Sequence, residues 1–111
     1  MEKITNKKDF EKIIQELNVQ LSQKYNDFVG ITFFGSRNRD DFSAESDFDI
    51  VVLFSNQPHW QKENEILDII YEAELKYDII IDAKVYHDEE IKMQNTPFRV
   101  TVLREGSFYG I

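Results

Sequence analysis

Between Phe33 and Phe54 the chain reads Phe-Phe-Gly-Ser-Arg-Asn-Arg-Asp-Asp-Phe-Ser-Ala-Glu-Ser-Asp-Phe-Asp-Ile-Val-Val-Leu-Phe, an order that few folds accommodate. An apolar run breaks at Gly35-Ser36, a polar loop spans Arg37 to Ser46, and a second apolar run begins at Asp47-Phe48-Asp49. Side chains alternate along a strand, so Asp47 and Asp49 at a strand mouth share a face, close enough to share a divalent cation. Two like charges held side by side gain folding nothing, and solvent or a metal must offset them. A glycine directly after the strand Ile31 to Phe34 lets backbone approach a ligand closely. A helical turn opening at Ser36 would offer free N–H groups to phosphate. A phosphate cradle beside a metal-holding acid pair is the equipment of an enzyme that uses nucleotides.

The remaining sequence sets bounds on that reading. A chain of 111 residues is predicted to form one domain, 1–111, and can bury roughly two-thirds of its unfolded surface without cross-links. Nine Phe and five Tyr supply a core, and the absence of cysteine excludes disulfides, thiolate zinc sites and cysteine nucleophiles. No apolar run approaches membrane-span length and the N-terminus has no apolar leader, so the chain reads as cytoplasmic with no membrane partner. A net charge of −8 argues against general nucleic-acid binding. It leaves room for a basic partner or for a nucleotide that arrives with its metal.

Helical spacing of Phe10, Ile13, Ile14, Leu17 and Leu21 after the cap candidates Thr5-Asn6 predicts an amphipathic helix to about Tyr25. Strands follow at Phe28 to Phe34 and Phe48 to Phe54. Trp60 to Tyr77 reads as a second long helix with Ile66, Leu67, Ile69, Ile70 and Ala73 inward; Trp60 is expected to pack at its start. Asp78 to Tyr86 is the third strand: Ile79, Ile81, Ala83 and Val85 form its apolar face and Asp82 and Lys84 lie on the other. Thr96-Pro97 starts a last helix that Gly106 stops. The fold class is α+β, a small mixed β-sheet with helices packed on one face.

Gly35-Ser36, ten residues, then Asp47-Phe48-Asp49 resembles the signature of the DNA polymerase β-like nucleotidyltransferase superfamily. The short chain is similar to its minimal nucleotidyltransferase branch, whose members pair with HEPN-domain proteins as toxin–antitoxin systems. The resemblance implies a nucleotidyltransferase-like fold, Mg2+ held by Asp47, Asp49 and a third carboxylate on a later strand, and ATP as substrate. Asp82 is the candidate for that third ligand and Asp78 competes with it; Lys84 either pairs with Asp82 or touches phosphate. The three acids would also supply a base for the attacking hydroxyl. Gly35 and Ser36 would hold phosphates, while Arg37 and Arg39 fit equally a contact to triphosphate or a solvated loop. His59 and His87 lack metal-pair spacing and read as surface or boundary residues; Tyr109 reads as packing.

Two functions from different classes follow from the resemblance. One is a metal-dependent transferase that moves AMP from ATP to a hydroxyl on a partner such as a HEPN toxin. The other is an antitoxin-type binding module that neutralises its partner by contact alone. A nucleotide-sensing regulatory domain is a third. A homo-oligomer is compatible with all of them.

Overall fold

The computed structural model describes residues 7–39, 47–93 and 95–110; of Ser36 and Arg39 it describes the backbone only. The elements run α1 (Lys7–Lys24), β1 (Phe28–Phe34), α2 (Ser36–Arg39), β2 (Phe48–Phe54), α3 (Trp60–Tyr77), β3 (Ile81–His87), α4 (Asp88–Lys92), α5 (Pro97–Glu105) and β4 (Ser107–Gly110). The strands form one mixed sheet in the order β3-β2-β1-β4. β1 is antiparallel to both β2 and β4, and β2 is parallel to β3, with α3 as the crossover.

The expected α+β sheet forms because each strand has one uniformly apolar face. Phe48, Ile50, Val52 and Phe54 of β2 point one way with Ile31 and Phe33 of β1, Ile81 of β3, and Ala83 and Val85 beside it. Against them lie Phe10, Ile13, Ile14, Leu17 and Leu21 of α1 and Ile66 and Ile70 of α3. Phe10 stacks on Phe48 at 4.3 Å between ring centroids and meets Phe33 at 4.9 Å. Each such fully buried side chain contributes about 1.5–3 kcal/mol.

The structure adds to and corrects the sequence expectations in four places. The two long helices cover one face as expected, but the other face is not bare: Ile91 of α4 and Val102 of α5 pack on Phe34, Val51 and Leu53. Those short helices carry one buried apolar position each, too few for periodicity to assign them a side. Ser107–Gly110, where the sequence reading assigns Tyr109 only to packing, is an edge strand on β1, with Tyr109 opposite Ile31. It is held from α1 by Asn18 Nδ2, which donates to the carbonyls of Tyr109 (3.1 Å) and Gly110 (3.4 Å). The third strand begins at Ile81, not Asp78, because Asp78 is the left-handed cap of α3 (φ 54°, ψ 51°). Trp60 and Leu67, both expected inside, are exposed on the outer side of α3. The Thr5-Asn6 cap lies outside the described residues.

Other signals behave as expected. Thr96 Oγ1 accepts from the Arg99 N–H at 3.2 Å, Pro97 follows it, and Gly106 closes α5. His59, at the surface, caps α3 by accepting from the Lys62 N–H at 3.2 Å.

Candidate functional site

Three strand ends meet at one edge of the sheet, on the face away from α1 and α3. Antiparallel pairing sets Phe34, the last residue of β1, opposite Asp49, and parallel pairing sets Asp49 beside Asp82. Period-two alternation then puts Asp49, Asp82 and Lys84 on the face opposite the buried Phe48, Ile50 and Ile81 and the partly buried Ala83. Asp47 stands exposed just before β2.

Gly35 closes this corner. Its φ of +84° is a conformation that side chains rarely adopt, and a Cβ there would run into the Asp49 carboxylate. Gly35 and Asp49 therefore meet at this corner. The backbone turns at once into α2, where the Asn38 N–H donates to the Gly35 carbonyl at 3.1 Å.

Sequence reasoning missed the residue that pins this turn. Asn38 is buried, its Nδ2 donates to the Glu105 carbonyl at 3.0 Å, and its Oδ1 accepts from the Ser107 hydroxyl at 3.2 Å. One side chain thus ties α2 to the end of α5 and the start of β4. A lone asparagine in a polar loop gives no signal of such a role, because both partners lie more than sixty residues away.

The electrostatics follow from the crowding. Burial, then Asp82, then Asp47 push the Asp49 carboxyl above its ordinary value, and Lys84 opposes them. Lys84 Nζ lies 3.4 and 3.5 Å from the two Asp82 oxygens, and both side chains are about half exposed. Asp78, the competing third acid, is the left-handed cap of α3, three residues before β3 begins.

Arg37 is neither solvated nor extended from the loop. Its guanidinium is buried and rests over the Phe48 ring at 4.3 Å from the centroid, which lowers its pKa through burial while Asp47 raises it. The backbone of Ser36 and Arg39 belongs to α2.

Among the described residues no group of three His, Asp or Glu side chains is already gathered to hold a metal. Magnesium asks less than that: one or two carboxylates, with water and phosphate completing its shell. Asp49 and Asp82 sit in register on adjacent strands, sharing a face with mutual repulsion to relieve. The Asp49 carboxylate takes the place where a Cβ at residue 35 would stand, so the backbone of Gly35 lies directly against it. The donor set fits a hard divalent cation.

The family model described as "Polymerase beta, Nucleotidyltransferase" matches residues 11–106. Two proteins of Methanocaldococcus jannaschii are similar along most of the chain. "Putative protein adenylyltransferase MJ0604" is 34% identical over 98 residues, 86% of this chain and 93% of that protein. "Putative protein adenylyltransferase MJ0141" is 33% identical over 75 residues, 67% of this chain and 76% of that protein. Among solved structures, a toxin–antitoxin with AMP-PNP superposes with a TM-score of 0.64 at 22% identity, covering 91% of this chain and 73% of that one. A nucleotidyltransferase-type structure from Sulfolobus solfataricus gives 0.53 at 21% identity, covering 88% and 77%. These two likenesses concern the fold.

Proposed function

Because the chain belongs to the polymerase β-type nucleotidyltransferase family, we propose that it transfers AMP from ATP to a hydroxyl group on a partner protein, in the cytoplasm, with residues 1–111 acting as one minimal nucleotidyltransferase domain. The observation that carries this reading is the meeting of Gly35 with Asp49: backbone without a side chain faces a carboxylate whose charge is already disfavoured. That is a place where a triphosphate and its cation relieve strain instead of adding it. The names of the two archaeal relatives support AMP as the group moved and a protein as acceptor.

In this reading Asp47, Asp49 and Asp82 would hold Mg2+, which would offset charge at the α-phosphorus and help orient the acceptor hydroxyl. Gly35 and Ser36 lie along the β- and γ-phosphates, with Arg39 at the loop start as a further phosphate contact. Arg37 acts from beneath, holding Phe48 and balancing Asp47. The acceptor oxygen bonds to the α-phosphorus, the bond to pyrophosphate breaks, and a carboxylate of the set takes the hydroxyl proton. The acceptor arrives on the partner, for which a HEPN-type toxin is the candidate.

Incubation with magnesium, the partner and α-labelled ATP, beside γ-labelled ATP, tests the reaction. Label on the partner from the α-position only, lost in Asp47→Ala with Asp49→Ala, is expected; label from the γ-position refutes nucleotidyl transfer. One observation favours the contact-only module: Asp82 already has a cation beside it in Lys84. Under that reading the same double variant neutralises its partner unchanged.

A further inference from the structure

The apolar residues of α3 that are absent from the core are not scattered. Trp60 (67% exposed), Leu67 (42%), Tyr71 (57%) and Leu75 (63%) recur at spacings of seven, four and four. At 100° per residue they fall within an arc of about 80° and form one stripe, about 22 Å long at 1.5 Å per residue, centred about 115° around the helix from the buried Ile66 and Ile70. The outer face of a domain helix is ordinarily its polar face, and a row of large apolar side chains there, interrupted by Asn64 between Trp60 and Leu67, marks a contact surface. Two of the four are the aromatic types that anchor interfaces.

We propose that the outer face of α3 docks an amphipathic helix of a different protein, one with an apolar stripe bordered by lysine and arginine. Charge decides the occupant. Asp68 and Glu72 run along one border of the stripe and Glu63 along the other, on a chain of net charge −8. A second copy laid on this face would set acid against acid on both borders in either orientation. A basic-bordered helix meets complementary charge on both sides and buries its apolar row on Leu67, Tyr71 and Leu75. Because α3 packs on the sheet face opposite Asp49 and Asp82, a helix bound there leaves the carboxylate corner open. Docking and nucleotide chemistry thus occupy opposite faces of one sheet, and the docking holds whether or not the chain transfers a nucleotide.

Trp60 is the only tryptophan and sits at one end of the stripe, so its emission reports docking. Three synthetic helical peptides without tryptophan are titrated into the full chain without nucleotide: leucines at i, i+4, i+7 and i+11 with Lys/Arg borders, the same leucines with glutamate borders, and Lys/Arg borders with serine replacing leucine. A saturable blue shift with the first is expected, at least about tenfold tighter than with either other peptide and weakened at least about tenfold by L67Q/Y71Q/L75Q. The Asp49→Asn variant binds the first peptide as the parent does, which separates this surface from the carboxylate corner. If the triple variant does not fold, L67Q and L75Q singly carry the same comparison. Equal binding of all three peptides, no saturable shift, unchanged binding by the stripe variants, or a dimer in sedimentation equilibrium that those variants dissociate would each overturn the proposal.

Discussion

Replacing Gly35 by alanine perturbs the corner in two separable ways. At φ +84° an L-residue costs about 1–2 kcal/mol more than glycine. The new Cβ also meets the Asp49 carboxylate, whose displacement from its rotamer costs about another 1 kcal/mol. The sum, about 2–3 kcal/mol, lowers the melting temperature of a chain this size by about 10 °C. A double-mutant cycle isolates the second part. In an Asp49→Ala background the collision is gone and Gly35→Ala costs only the backbone part, leaving a coupling of about 1 kcal/mol. Urea denaturation followed by circular dichroism gives all four free energies. Magnesium protection against unfolding, measured on the same samples, is lost wherever the carboxylate is moved or removed. An additive cycle, or a Gly35→Ala protein that magnesium protects as well as the parent, would refute the convergence of glycine and acid on which the functional reading depends.

Three further outcomes follow from individual contacts. Asp49→Asn should remove transfer yet raise the melting temperature at neutral pH. Burial, Asp82 and Asp47 raise the folded pKa of Asp49, so its contribution to stability is present at low pH and is lost as pH rises through that raised value; thermal melts from acid to neutral pH check this, and an Asn variant no more stable than the parent at pH 7 contradicts it. Lys62→Ala should cost about 3 kcal/mol in urea titrations, because Lys62 Nζ donates to both Asp27 oxygens (2.6 and 2.7 Å) in a pair only 12% exposed on each side. Burial alone would raise the Asp27 carboxyl, but Lys62 outweighs it and the net shift is downward, so the parent's advantage is full at neutral pH and shrinks as pH falls through the depressed value. Arg37→Ala should lose about 1–2 kcal/mol of stability through its contact with Phe48, partly recovered in Arg37→Lys; unchanged stability with a raised KM for ATP would make it a phosphate contact instead.

What the sequence made legible was whatever repeats. Five apolar residues of α1 at helical spacing, and two strands alternating apolar side chains, specify which faces meet before any contact is known. The third strand's one apolar face placed Asp82 on the opposite side, and the parallel register then set it beside Asp49. Features that depend on a few long-range bonds were not legible. Nothing local to Ser107–Gly110 says it will pair with β1, and nothing local to Asn38 says it will hold Glu105 and Ser107. The third strand starts three residues later than its polar entrance at Asp78 suggests, because a left-handed cap and a strand entrance are both polar positions after a helix. Trp60 and Leu67 were misplaced for another reason: hydrophobicity was equated with the core, although α3 carries more apolar side chains than its inner face can hold.

The two faces of the sheet explain why carboxylates can be kept here at all. A lone half-buried acid in a core strand invites replacement, since its desolvation opposes folding. In β2 the residues flanking Asp49, Phe48 and Ile50, are fully buried against α1 and α3, so packing on that side strongly fixes the strand's register. A slip of one residue would send the whole apolar row outward and bring Asp49 into the aromatic cluster around Phe10. The cost of that slip far exceeds the cost of crowding Asp49 with Asp82 and Asp47. The aromatic side of the sheet thereby fixes a strained arrangement of charge on the other side, one that a cation relieves.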